Sequence, residues 1–231
     1  MVAGRPLTLA TETLVDVLVA AGIVFAVAFA LGMAANVAAS AHHPLLPLAS
    51  VSGSLLAGLA VWAWRRESLP ASTRRASRAD WGLSILGAFG LQAIAIGYGW
   101  AAAALGRDSL GSNIGPVLAA YAAAPMMTLL FAVVVAPLGE ELLFRRVLLH
   151  RFALGGRPGL GLAVTSLGFA LIHEPVPGDR GVGLWLLKLA PYVLMGLGFG
   201  ALYLRTARFG PVLLCHMLVN ATGLGLLFTG R

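Results

Sequence analysis

The chain has 231 residues, of which 59% are hydrophobic and only 11% charged. A soluble domain usually carries about 45–50% apolar and about 25% charged residues, so this composition argues against an ordinary water-soluble globule. The formal net charge is +7, but the arginines cluster in short segments between apolar blocks, as the positive-inside bias of membrane proteins requires. Basic charge placed in this way does not call for a nucleic-acid partner. The single cysteine, Cys215, excludes an internal disulfide and a cysteine-rich zinc site.

The apolar residues form continuous blocks of about 16–26 residues, the length that crosses a hydrocarbon core of about 30 Å. In lipid every backbone polar group must be bonded within the chain, which leaves helices or a closed barrel. The blocks are rich in Ala, Leu and Val and do not alternate, so they predict helices. The expected fold is an all-α, polytopic transmembrane bundle of about seven spans in one integral membrane domain covering 1–231.

In chain order, the first span is expected at 14–39. Arg5 precedes it and Ala39-Ser40-Ala41 ends it like a signal-peptidase site. Glu12 and Asp16 interrupt its start and the apolar run is long, which favours a retained span. His42, His43 and Pro44 read as a turn, and a second span follows at 45–64. Arg65 to Asp80 is a polar loop with five arginines. The third span is expected at 81–105, followed by a small polar turn from Gly106 to Gly115. Next comes one long helix at 116–152, with kinks expected at Pro125 and Pro137. Gly155 to Gly159 breaks the chain. The last three spans are expected at 160–173, 182–204 and 211–228, separated by a loop from Glu174 to Gly181 and a tight turn from Arg205 to Gly210. Gly196, Gly198 and Gly200 suit close helix approach.

Arginine counts set the orientation. With the N-terminus inside, the inner loops hold Arg65, Arg66, Arg74, Arg75, Arg78, Arg145, Arg146, Arg151, Arg157, Arg205 and Arg208. The outer loops hold Arg107 and Arg180 with Asp108, Glu174 and Asp179. The bias predicts a cytoplasmic N-terminus and an external C-terminus. Arginine dominance with abundant Ala and Gly points to a GC-rich prokaryotic genome, hence to a prokaryotic cytoplasmic membrane.

Ionisable residues beside membrane spans are functional suspects. Glu140, Glu141 and Arg145 form the strongest cluster. Glu141 and Arg145 stand four apart and share a helical face. Glu140 points about 100° away and is left for proton transfer. The bland alternative is a helix end with ordinary surface charges. His173 closes an otherwise apolar span, and a headgroup-facing histidine would look the same. Glu140 lies sixteen residues before Gly156 and His173 seventeen after it. In an antiparallel pair both would sit roughly 24 Å from that turn, so the spacing permits them to meet. His216 and Asn220 share a face of the last span, an arrangement that also serves as hydrogen-bonding glue between helices. Cys215 beside His216 reads as packing.

Taken in order, Glu140-Glu141-x-x-x-Arg145, Phe169-x-x-x-His173 and His216-x-x-x-Asn220 resemble the motifs of the CPBP or Abi family. That family comprises CAAX prenyl-protein endopeptidases and bacteriocin-processing relatives. The likeness runs roughly from Pro125 to Asn220, and Phe144, Tyr203, Thr206 and Pro211 extend it. It implies a glutamate-dependent intramembrane endopeptidase with its active site inside the bundle. Glu140 would act as general base on water with help from His173. His216 and Asn220 would stabilise the oxyanion, and Glu141 with Arg145 would hold the first motif.

The resemblance implies no metal and no cofactor. Its substrate would be a peptide or membrane protein met in the lipid bilayer. Two alternatives stay open. One is a zinc protease using His173, His216 and a glutamate, although no His-Glu-x-x-His stretch is present. The other is a non-proteolytic scaffold or immunity protein. Oligomeric state is not written in these motifs. The orientation is checked by cysteine labelling: in a Cys215→Ser background, a cysteine in the Arg65–Asp80 loop should react only with a membrane-permeant reagent. Labelling by an impermeant reagent from outside would reverse the topology.

Overall fold

The computed structural model describes residues 6–37, 47–70, 72–106, 114–175, 177 and 181–229. All regular structure among them is helical. The helices are α1 (Pro6–Val37), α2 (Pro47–Arg65), α3 (Arg78–Ala104), α4 (Ile114–Ala123), α5 (Pro125–Leu154), α6 (Pro158–His173), α7 (Val182–Thr206) and α8 (Phe209–Thr229). Ala39-Ser40-Ala41, the turn at His42, His43 and Pro44, most of the turn after α3, and the charges Arg107, Asp108, Asp179 and Arg180 lie outside the described residues.

Among the described residues, four helices are long and apolar enough to cross a membrane: α3, α5, α7 and the Phe209–Phe228 stretch of α8. Their outward surfaces suit lipid. On α3, Leu86 is 70% exposed, Phe89 61% and Trp100 75%. Apolar side chains presented so openly fit a hydrocarbon solvent. This is a helical membrane protein. The apolar helices α4 and α6 are shorter, at 10 and 16 residues.

The single long helix expected at 116–152 is two helices. Ala124 leaves helical geometry at φ −150°, ψ 78°, because a residue before proline is pushed out of the α region. Pro137 has the opposite outcome. It lacks an N–H and its ring crowds the carbonyl of Val133, four residues back. The helix widens just before it: Ala136 N–H donates to Phe131 O, five residues back. This π turn lets α5 run on through Pro137. A second π stretch spans Leu142–Leu149, where His150 N–H reaches Arg145 O.

The described structure divides into two compact units. The first holds α1, α2, nearly all of α4, and α5. In it α2 packs on α1 and α5. Gly139 makes the α2–α5 approach possible: a Cβ there would stand 2.6 Å from Leu55 Cα. Helix α1 starts at Pro6, earlier than expected, because its acids have partners in the fold. Asp16, fully buried, meets Arg65 at 2.8 Å and Arg151 at 2.5 Å, and Glu12 lies 3.5 Å from Arg151. Arg146 donates to Leu69 O at 2.6 Å, and His150 Nε2 lies 2.9 Å from Pro70 O. Thus Arg146 and Arg151, counted above as loop charges, are buried and bonded inside the unit.

The second unit holds α3, most of α6, α7 and α8. Helix α8 packs on α3 and α7, and α3 packs on α7. Ser77 caps α3 in a capping box with Asp80, so the helix begins at Arg78. Arg74 bonds Asp80 at 2.8 Å and Thr206 O at 3.2 Å. Arg208, also buried, donates to Ser72 O and Ser72 Oγ, both at 2.7 Å. The turn between α7 and α8 is only Ala207 and Arg208, with Ala207 in the left-handed region at φ 53°. Gly196 brings α7 onto α6: a Cβ there would lie 2.8 Å from Ser166 Cα.

Because the obstacle at Gly139 is backbone, it cannot swing aside. Gly139→Ala should lower stability by about 1–3 kcal/mol, the usual cost of overpacking. Thermal unfolding of the purified protein in detergent reads this, and an unchanged midpoint would contradict the close approach.

Candidate active site

The first motif lies on α5, with its two glutamates between the π stretches and Arg145 within the second. Glu140 is half-buried and its neighbour Glu141 fully buried. Glu141 Oε1 pairs with Arg145 Nη1 at 3.1 Å, and Arg145 is itself buried. The Arg145 guanidinium stands 5.9 Å from the Phe144 ring centroid. A pair so far from water is held by mutual compensation. Removing either one takes from the other its ion-pair partner at 3.1 Å, deep in the fold. Adjacent residues diverge around the helix, so Glu140 takes a different direction from this pair.

The other motifs lie in the second unit, gathered on one aromatic side chain. Phe169, on α6, is almost fully buried. The His173 ring lies 4.7 Å from it and the His216 ring, from α8, 5.7 Å from it edge-on. His216 also stacks on Phe199 of α7 at 4.4 Å and 22°. His173 stacks on Tyr192 of α7 at 4.4 Å and 20°. The two histidines therefore flank one phenylalanine. Asn220 lies one turn after His216 and is half-buried. Cys215 is buried, and a Cβ on Gly87 of α3 would meet its sulfur at 3.5 Å, which gives it a packing role.

The bond at His173 sets its chemistry. Nδ1 lies 2.8 Å from Phe169 O, one helical turn back. A carbonyl oxygen only accepts, so Nδ1 carries the hydrogen in this bond. In the neutral ring Nε2 then holds the lone pair, the form a proton acceptor needs. Glu174, next in sequence, is buried, and its carbonyl accepts from Trp185 Nε1 at 2.8 Å. Among the described residues, no group of three His, Cys, Asp or Glu side chains is placed to hold a metal ion.

The sequence pattern gives no contact role to Tyr192 or Phe199, and marks Asp16 only as an acid at the start of the first span. Tyr192 follows Pro191 within α7, and Asp16 lies four residues after Glu12 in an apolar stretch. Both signals were present, but neither identifies its partner.

A family model described as "Type II CAAX prenyl endopeptidase Rce1-like" matches residues 122–222. All seven motif residues from Glu140 to Asn220 fall inside the match. Within the class of helical membrane proteins, residues 122–222 therefore form a domain of the Rce1-like type II CAAX prenyl endopeptidase family, the CPBP or Abi group. Neither the curated proteins nor the solved structures gave a match.

The buried pair makes a graded prediction. Glu141→Gln should destabilise by about 3–5 kcal/mol, since it removes the carboxylate charge paired with buried Arg145. Replacing both, as Glu141→Gln with Arg145→Met, should cost less than the single change. Denaturation in detergent measures both, and additive losses would mean the two side chains do not compensate each other.

Proposed function

We propose that the protein is an intramembrane endopeptidase that hydrolyses a peptide bond with water activated by Glu140 and His173. The reading rests on the ordered motifs within the matched family domain. The observation that carries it is His173 and His216 flanking Phe169, with His173 Nδ1 committed to a carbonyl. In this proposal about seven spans form one membrane domain, with the N-terminus inside. The mechanism requires hydrogen-bond reach between Glu140 and His173, directly or through one water.

The steps follow from donor and acceptor inventory. Glu140 takes a proton from water as the oxygen attacks the scissile carbonyl, and His173 Nε2 supports that transfer. His216 and Asn220 donate hydrogen bonds to the oxyanion. The collapsing intermediate expels the amine, which receives the proton that Glu140 took. Glu141 and Arg145 keep the α5 segment in register. The substrate is a peptide or membrane protein cleaved near the bilayer surface.

Mapping of peptide termini in membranes that express the wild type or Glu140→Gln tests the reading without prior choice of substrate. Certain termini should arise only with the wild type, and their yield should fall about 10²–10⁴-fold in the variant. His216→Ala or Asn220→Ala should cost about 10²–10³-fold. Glu140-independent termini throughout would support a scaffold instead. Exhaustive chelation of the purified protein should leave the same cleavages intact. Loss restored by stoichiometric zinc would transfer the chemistry to a metal site built from the same histidines.

A further inference from the structure

Helix α7 carries a proline in its interior, Pro191. Proline has no N–H, so the carbonyl four residues back, that of Leu187, loses its helical donor. In a membrane-spanning helix that loss is costly. The fold supplies a substitute: Tyr98 on α3 donates its hydroxyl to Leu187 O at 2.6 Å. The interruption in α7 is therefore braced from a neighbouring helix. The residue immediately after Pro191 is Tyr192, whose ring stacks on His173.

We infer that Tyr192 is a positioning residue for His173, acting through its ring face and not through its hydroxyl. The inference rests on the proposed role of His173. Two constraints fix an imidazole: a bond in its plane and a surface against its face. The Phe169 carbonyl supplies the first, and Tyr192 supplies the second at 4.4 Å with only 20° between planes. Phe169 leans on the ring at 43° and cannot replace a parallel face. Together they set the direction in which Nε2 points. The Pro191 interruption and the Tyr98 brace determine where on α7 that face is presented.

Nitrogen NMR of the full chain in detergent, labelled at histidine, tests the inference without a substrate. His173 is assigned from its loss in His173→Ala. The wild type should show His173 as the single tautomer with hydrogen on Nδ1. Tyr192→Phe keeps the ring and should give the same spectrum. Tyr192→Leu should shift both ring nitrogens toward tautomer-averaged values. On a quenched peptide spanning a Glu140-dependent cleavage site, Tyr192→Leu should lower kcat by about 10- to 100-fold, the scale of a misplaced catalytic group, with KM within about twofold. Tyr192→Phe should restore kcat.

An unchanged His173 spectrum in Tyr192→Leu would overturn the inference, as would a Tyr192→Phe variant that loses as much kcat as Tyr192→Leu. His173→Ala that cleaves as well as the wild type would instead defeat the proteolysis reading. The two failures are thus separate.

Discussion

A polar group inside a lipid-facing helix bundle has no water to fall back on, and this constraint organises both units. Several buried charges and one orphaned carbonyl have partners that tie the framework together. Glu141 has Arg145 one turn along α5. Asp16 has Arg65 and Arg151, which ties α1 to the ends of α2 and α5. Leu187 O, deprived of its donor by Pro191, has the Tyr98 hydroxyl. An unmet group of this kind costs several kcal/mol in hydrocarbon, so these pairings also determine which helix faces meet.

The same constraint separates structural polar groups from chemical ones. Arg145, Arg146, Arg151 and Arg208 are buried; Arg145 pairs within α5, and the other three each have a bond that ties one segment to another. They fix the framework. His173 differs, because its Nδ1 bond is local and the ring is held by aromatic faces. Aromatic packing fixes a ring without consuming a nitrogen. That is a suitable way to hold a base whose remaining nitrogen must exchange a proton. Phe169 thereby acquires a role beyond marking a motif, since it is the surface on which both histidines rest.

Much of this was legible in the sequence. Apolar blocks of spanning length gave the helices, and four-residue spacing gave the face shared by Glu141 and Arg145. Pro125 was expected to kink a long helix, whereas the pre-proline effect at Ala124 ends one helix and starts another. At Pro137 the helix runs on with a π turn just before the ring, which a period of 3.6 does not foresee. Helix α1 begins at Pro6, ahead of the apolar span, and carries Glu12 and Asp16, whose arginine partners no local pattern reveals. Tyr192 and Phe199 stayed hidden because an aromatic residue in an apolar helix carries no mark of the ring it will face. Partnership between distant segments is a tertiary fact, and spacing within one helix does not encode it.

The proposed mechanism requires Glu140 to reach the groups that His173 and His216 present. Paired cysteines in a Cys215→Ser background test it most directly. Pairs at 140 with 173, 140 with 216, and 173 with 216 are treated with a short bifunctional thiol reagent, and bridged peptides are identified by mass spectrometry. The 173–216 pair is the control, because both histidines pack on Phe169. The account predicts bridges in all three pairs. Bridging of 173 with 216 alone, with 140 linked to neither, would contradict it.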